Sequence, residues 1–105
     1  MAFVRAIAKS ELQPGQGKLV VLDGRKIALF NVNGKYHAVD DTCSHEEASL
    51  SEGSVFAEDG RCVVECPLHG SRFDLETGAA LTLPAVRPVK AYVVREVDGA
   101  IEVEL

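Results

Sequence analysis

The apolar residues of this chain fall in short runs rich in β-branched side chains, separated by pairs that favour tight turns. LVVLD (19–23) and KIALFNV (26–32) flank Asp23-Gly24 and predict a hairpin. KYHAV (35–39) follows Asn33-Gly34, and CVVEC (62–66) follows Asp59-Gly60. KAYVVREV (90–97) and IEVEL (101–105) flank Asp98-Gly99. No window carries a long apolar stripe at helical spacing. The pattern predicts an all-β fold with an antiparallel β-sandwich or barrel base. From Asp40 to Leu83 the pattern changes. This stretch holds all three cysteines, two of the three histidines and a string of acidic residues. It predicts a smaller lobe, approximately 40–83, inserted in the scaffold, with the strands before and after it pairing across the insertion. Without linker, repeat or low-complexity tract, residues 1–105 read as a single domain.

Composition narrows the function. Hydrophobic residues make up 47% of the 105, which suits an ordered globular chain. The formal charge of −5 argues against nucleic acid and against anionic lipid, and suits a basic partner surface. No apolar run approaches bilayer length, so no membrane association is expected. The opening MAFVRAIAKSEL lacks the sustained apolar core of a secretory signal, which predicts a cytoplasmic protein. Cys43, Cys62 and Cys66 form an odd set that suits thiolate ligands better than a disulfide framework.

Two clusters carry candidate chemistry: Cys43-Ser44-His45, and Cys66-Pro67-Leu68-His69. Two thiolates and two imidazoles can close a tetrahedral zinc site or divide between two irons. In common zinc modules a cysteine pair precedes a histidine pair, whereas here each cluster brings one of each. If the two loops approach symmetrically, both cysteines face one iron and both histidines the other. The two thiolates then cancel the charge of a core of two ferric ions and two sulfides. Reduction leaves a single negative charge, so the potential lies above that of four-cysteine sites, in a range of about −150 to +300 mV. The histidine-bound iron, with less ligand charge, takes the electron. A zinc-stabilised interaction module remains the alternative from donor identity alone.

With ASLSEG (48–53), Gly70 and RFDLETG (72–78) added to these clusters, the sequence resembles Rieske proteins over nearly its whole length. It is most similar in kind to the Rieske-type [2Fe–2S] ferredoxins of multicomponent aromatic-ring-hydroxylating dioxygenases. The resemblance implies one Rieske [2Fe–2S] cluster. Cys43 and Cys66 bind one iron, and His45 and His69 bind the other through Nδ1. It implies a single-electron carrier, not catalytic alone. The electron comes from a flavin-dependent NAD(P)H ferredoxin reductase and passes to a terminal Rieske non-haem iron oxygenase. A monomer is the expectation. Gly70 would let the backbone approach the cluster, and Pro84 in LPAVRP (83–88) would shield it. The high-potential members place a serine and a tyrosine hydroxyl near cluster sulfur. Ser71 matches the serine, but Phe73 replaces the tyrosine, which implies a potential below that class. Their extra disulfide corresponds to Ala48 and Leu68 and cannot form here. A small Rieske subunit of another reductase, such as nitrite reductase, is a second reading within the fold.

Glu46 to Glu65 separates His45 from Cys66 by twenty residues, more than is usual in the family. The excess is expected to enlarge the turn at Ala57-Glu58-Asp59-Gly60-Arg61. Cys62 is expected to behave as a small buried hydrophobe sharing a strand face with Val64 and Cys66. His37 is expected to be a partly buried structural histidine. Asp40, Asp41, Glu46, Glu47, Glu52, Glu58, Asp59 and Glu65 read as a solvated acidic surface, with docking of basic partners as the functional alternative.

Overall fold

The computed structural model describes residues 2–44, 48–68, 70–83 and 87–105. Ten strands follow in order: β1 Phe3–Ala8, β2 Gly17–Leu22, β3 Arg25–Val32, β4 Lys35–Asp40, β5 Ser54–Glu58, β6 Arg61–Glu65, β7 Arg72–Asp74, β8 Ala91–Tyr92, β9 Val94–Val97 and β10 Ala100–Glu104. They form three sheets, ordered β1-β10-β9, β2-β3-β4-β8 and β5-β6-β7. Every pairing described is antiparallel. Among the described residues no closed barrel forms, so the sandwich is the base architecture adopted. No described helix is long and apolar enough to cross a membrane.

The hairpin turns follow from local chemistry. Asp23, Asn33, Asp59 and Asp98 all have φ near +50°, and each is followed by a glycine with positive φ. Two successive left-handed residues give the turn whose twist matches that of the strands it joins, and Asx-Gly is the pair that tolerates it. The expected enlargement of the turn at 57–61 does not occur. Glu58 pairs with Arg61 and Ala57 with Cys62, leaving only Asp59 and Gly60 in the turn. A two-residue Asp-Gly turn lets the residues on either side of it pair, so the segment is taken up in the β5–β6 hairpin.

Within the middle sheet, β3 is buried on both faces. Ile27 and Leu29 of β3 pack with Ile7, Leu12, Leu22, Ala38, Tyr92, Ile101 and Val103. Ala28, Phe30 and Val32 point the other way, into a core with Val39, Cys43, Leu50, Val64, Cys66, Phe73 and Leu75. This explains why β3 reads as a continuous apolar run rather than an alternating one. Asn31, also buried, is satisfied: its amide donates to Leu12 O at 2.9 Å and its side-chain oxygen accepts from Gly34 N at 2.8 Å.

Pairing across the inserted segment is as expected: Ala38 pairs with Tyr92, and Val39 with Ala91. The predicted strand 90–97, however, is divided. Tyr92 belongs to the middle sheet, while Val94 pairs with Val103 in the outer one. The chain changes sheets at Val93, which is exposed.

Candidate metal centre

Cys43 lies just beyond β4, and Cys66 just beyond β6. Their two loops close in the same way. The amide of Cys43 donates to Ala48 O at 2.9 Å, and that of Cys66 donates to Ser71 O at 2.7 Å. Each bond runs from a cysteine to the carbonyl five residues later and constricts the neck of a small loop. Both cysteines are buried and belong to the same apolar core. Neither forms a disulfide.

The first loop is fixed from below by Asp41, which is only 3% exposed. Its backbone amide donates to Lys26 O, and its carbonyl accepts from Leu50 N at 2.7 Å. One carboxylate oxygen accepts the Ser49 hydroxyl at 2.6 Å, and the other accepts the Ser51 amide at 2.9 Å. Thr42 and Ser49 form a β-bridge between this clamp and the Cys43–Ala48 bond. At the far side, Ser44 Oγ donates to Arg87 O at 2.6 Å, tying the first loop to the residue just before Pro88.

The second loop is built from backbone. Gly70 N donates to Cys66 O at 3.2 Å, and Gly70 itself has φ +73°, a conformation that strains any residue with a Cβ. No described atom lies within 4 Å of where its Cβ would be, and the left-handed backbone alone calls for glycine here. Gly53 has the opposite reason. A Cβ there would collide with the carbonyl of Glu65, the residue before Cys66. The stem of the first loop therefore lies directly on the strand that leads into the second.

Of the predicted site residues, Cys43, Cys66, Gly70 and Ser71 are described, and Ser71 is fully buried beside Cys66. His45, His69 and Pro84 lie outside the described residues, as do Glu46 and Glu47. Among the described residues no group of three His, Cys, Asp or Glu side chains is placed to hold a metal ion. The donor chemistry nevertheless fits an iron–sulfur centre. Two unbridged thiols are drawn into one apolar core at the necks of matching loops, with a histidine two residues after one and three residues after the other in the sequence.

Several outlying residues behave otherwise than expected. Asp41 is not on the surface but buried, with a hydrogen bond to each carboxylate oxygen. Asp40 accepts the Tyr92 hydroxyl at 2.6 Å. Glu58 and Glu65 both receive Arg72, whose guanidinium also lies over the Phe56 ring. Of the eight acidic residues expected to form a solvated surface, Asp41 is buried, whereas Asp40, Glu58 and Glu65 stay partly or fully exposed while pairing within the chain. Cys62 does face the core with Val64, but half-buried. Burial pushes its thiol above the ordinary value, with Lys35 opposing, which makes it a poor nucleophile. His37 is buried, and its Nε2 has no hydrogen-bond partner. Burial and the charge of Lys35 hold it below its ordinary pKa, against the pull of Glu76 and Asp74. Sequence reasoning missed Asp41, Ser49, Ser51 and Gly53 as supports of the site. The small and hydroxyl residues of ASLSEG are the signal that points to them.

Residues 2–93 match the family described as the Rieske [2Fe-2S] domain. The chain is 41% identical to the biphenyl dioxygenase ferredoxin subunit of Pseudomonas sp. (strain KKS102) over 90% of this chain and 84% of that one. It superimposes on the ferredoxin of carbazole 1,9a-dioxygenase from Nocardioides aromaticivorans IC177 with a TM-score of 0.89 at 37% identity, covering 98% and 97% of the two chains. A Mycobacterium tuberculosis protein described as a small subunit of an NADH-dependent nitrite reductase superimposes with a TM-score of 0.89 at 35% identity, covering 97% and 93%. With matching loop necks, paired buried cysteines and a family match across most of its length, the chain belongs to the Rieske [2Fe–2S] domain family and carries that family's single cluster.

Proposed function

We propose that this chain is the ferredoxin of an aromatic-ring-hydroxylating dioxygenase system. It takes one electron from a flavin-dependent NAD(P)H reductase and delivers it to a terminal Rieske non-haem iron oxygenase. Cys43 and Cys66 hold one iron of the cluster, and His45 and His69 hold the other. The observation that carries the ligand assignment is the shared closure of the two loops, amide of cysteine to the carbonyl five residues on. The assignment to an oxygenase system is supported by the ferredoxin relative matched over 90% of the chain.

When bound, the cluster would supply a one-electron acceptor and donor, gaining one negative charge on reduction and losing it again on delivery. The residues of the chain do the rest. The cysteine amides spend their donors on closing the loops. The apolar core of Phe73, Val64 and Leu50 keeps water from the cysteine side. Gly70 and Ser71 hold the turn after Cys66, with Ser71 proposed to donate toward cluster sulfur. The segment carrying Pro84, linked to the first loop through Ser44, is proposed to cover the cluster. The carrier itself is proposed to be monomeric and cytoplasmic.

The test is electron paramagnetic resonance of the dithionite-reduced protein, with iron and sulfide quantified on the same sample. A rhombic signal of mixed Cys/His ligation and equal amounts of iron and sulfide are expected, and both should vanish in Cys43→Ser and Cys66→Ser. One zinc and no sulfide would instead establish an interaction module. A second reading, a nitrite reductase subunit, is favoured by the equally good superposition on that protein. Stopped-flow oxidation of the reduced protein separates the two: a ring-hydroxylating oxygenase should accelerate it, and a sirohaem reductase should not.

A further inference from the structure

Asp41 is the one buried carboxylate among the described residues. It stands two positions before Cys43, so chain geometry keeps their Cα atoms within about 7 Å. Both of its oxygens accept hydrogen bonds, from Ser49 Oγ and from Ser51 N. Among the described residues no cation closes on it in an ion pair; Lys26 lines the shallow cleft on the same side. Two neutral donors therefore meet a carboxylate that is only 3% exposed, on the loop that carries a proposed cluster ligand.

We propose that Asp41 tunes the centre, lowering its reduction potential as a fixed buried charge while anchoring the first ligand loop. Reduction adds one negative charge to the centre. A nearby carboxylate disfavours the reduced state more than the neutral oxidised one, and the effect is strong where water does not screen it. A purely mechanical anchor would not require charge. An asparagine could make the same contacts, its oxygen accepting Ser51 N and its amide donating to Ser49 Oγ, whose hydroxyl can turn to Ser51 Oγ, 2.8 Å away. Asp41 is thus a positioning residue whose charge has its own readout.

This inference rests on the cluster ligation proposed above, and the measurement distinguishes the two. The midpoint potentials of wild type and Asp41→Asn are titrated on the cluster-loaded proteins, with the resonance signal recorded for each. The expected result is an upward shift in Asp41→Asn with unchanged g values, persisting at high ionic strength because a buried charge is little screened. An unchanged or lower potential in loaded Asp41→Asn overturns the proposal. If that variant does not load, Ser49→Ala removes a donor while keeping the charge. Its potential should then fall, and an unchanged or higher value overturns the proposal. Absence of the mixed-ligand signal from the wild type would refute the ligation itself, and with it this inference.

Discussion

The two ligand loops close on the same hydrogen bond yet depend on different kinds of support. The first is held by side chains: a buried carboxylate, two serine residues and a hydroxyl reaching Arg87. The second is held by strand register and backbone, continuing from the β6–β7 pairing into a left-handed glycine. Side-chain support can be altered one group at a time, so the first loop is where charge near the centre can be adjusted without moving the ligand. Backbone support is less divisible, and the second loop serves better as the fixed reference.

The largest effect is expected where the loops meet. Gly53→Ala drives a methyl group into the Glu65 carbonyl, which is backbone and cannot swing aside. A loss of about 3 kcal/mol is expected, at the upper end of overpacking costs, read as a lowered urea midpoint together with reduced iron content. Unchanged stability would mean that the two loops are not joined through this contact. Gly70→Ala should cost less, about 1–2 kcal/mol, from the strain of a Cβ at its left-handed φ. Loss of stability as great as in Gly53→Ala would mean that more than backbone strain is at stake there.

The smallest effect sets both loops against the scaffold beneath them. His37 is buried as the neutral imidazole, so its folded pKa lies below the ordinary 6.5. Below that pH the unfolded chain binds the proton more readily than the folded one, and stability falls as pH drops from 6.5 until the folded group also titrates. Thermal unfolding between pH 6.5 and about pH 5 should show this decline, and His37→Gln should flatten it. An equal slope in the variant would move the acid sensitivity away from His37.

How much of this was legible in the sequence depends on the range of the interaction. The turns were, because Asp-Gly and Asn-Gly specify their own backbone, and with them β2, β3, β4, β6 and β10. Strands β1, β5 and β7 were not. Phe3–Ala8 buries only Ile7 firmly and acquires its partner from the far end of the chain. Arg72–Asp74 is three residues with charged ends. The sheet change at Val93 was also invisible, because AYVV is apolar throughout and nothing local marks where one sheet stops. At the site, the cysteines stood out by spacing. Asp41 did not, since an aspartate in an acidic stretch looks solvated until Ser49 and Ser51 are folded against it.

The pairing of Phe3 with Glu104 has a consequence for biogenesis. While the chain is being synthesised, the β2–β3–β4 hairpins and the β5–β6–β7 sheet can assemble from neighbours as they appear, whereas β1 waits about a hundred residues for β10, the strand it pairs with. Until then β1 presents an open edge, and the layer that covers Ile27 and Leu29 is missing. The nascent ferredoxin is therefore most exposed to misassociation on the face opposite its metal loops, and those loops can take shape before the chain as a whole is sealed.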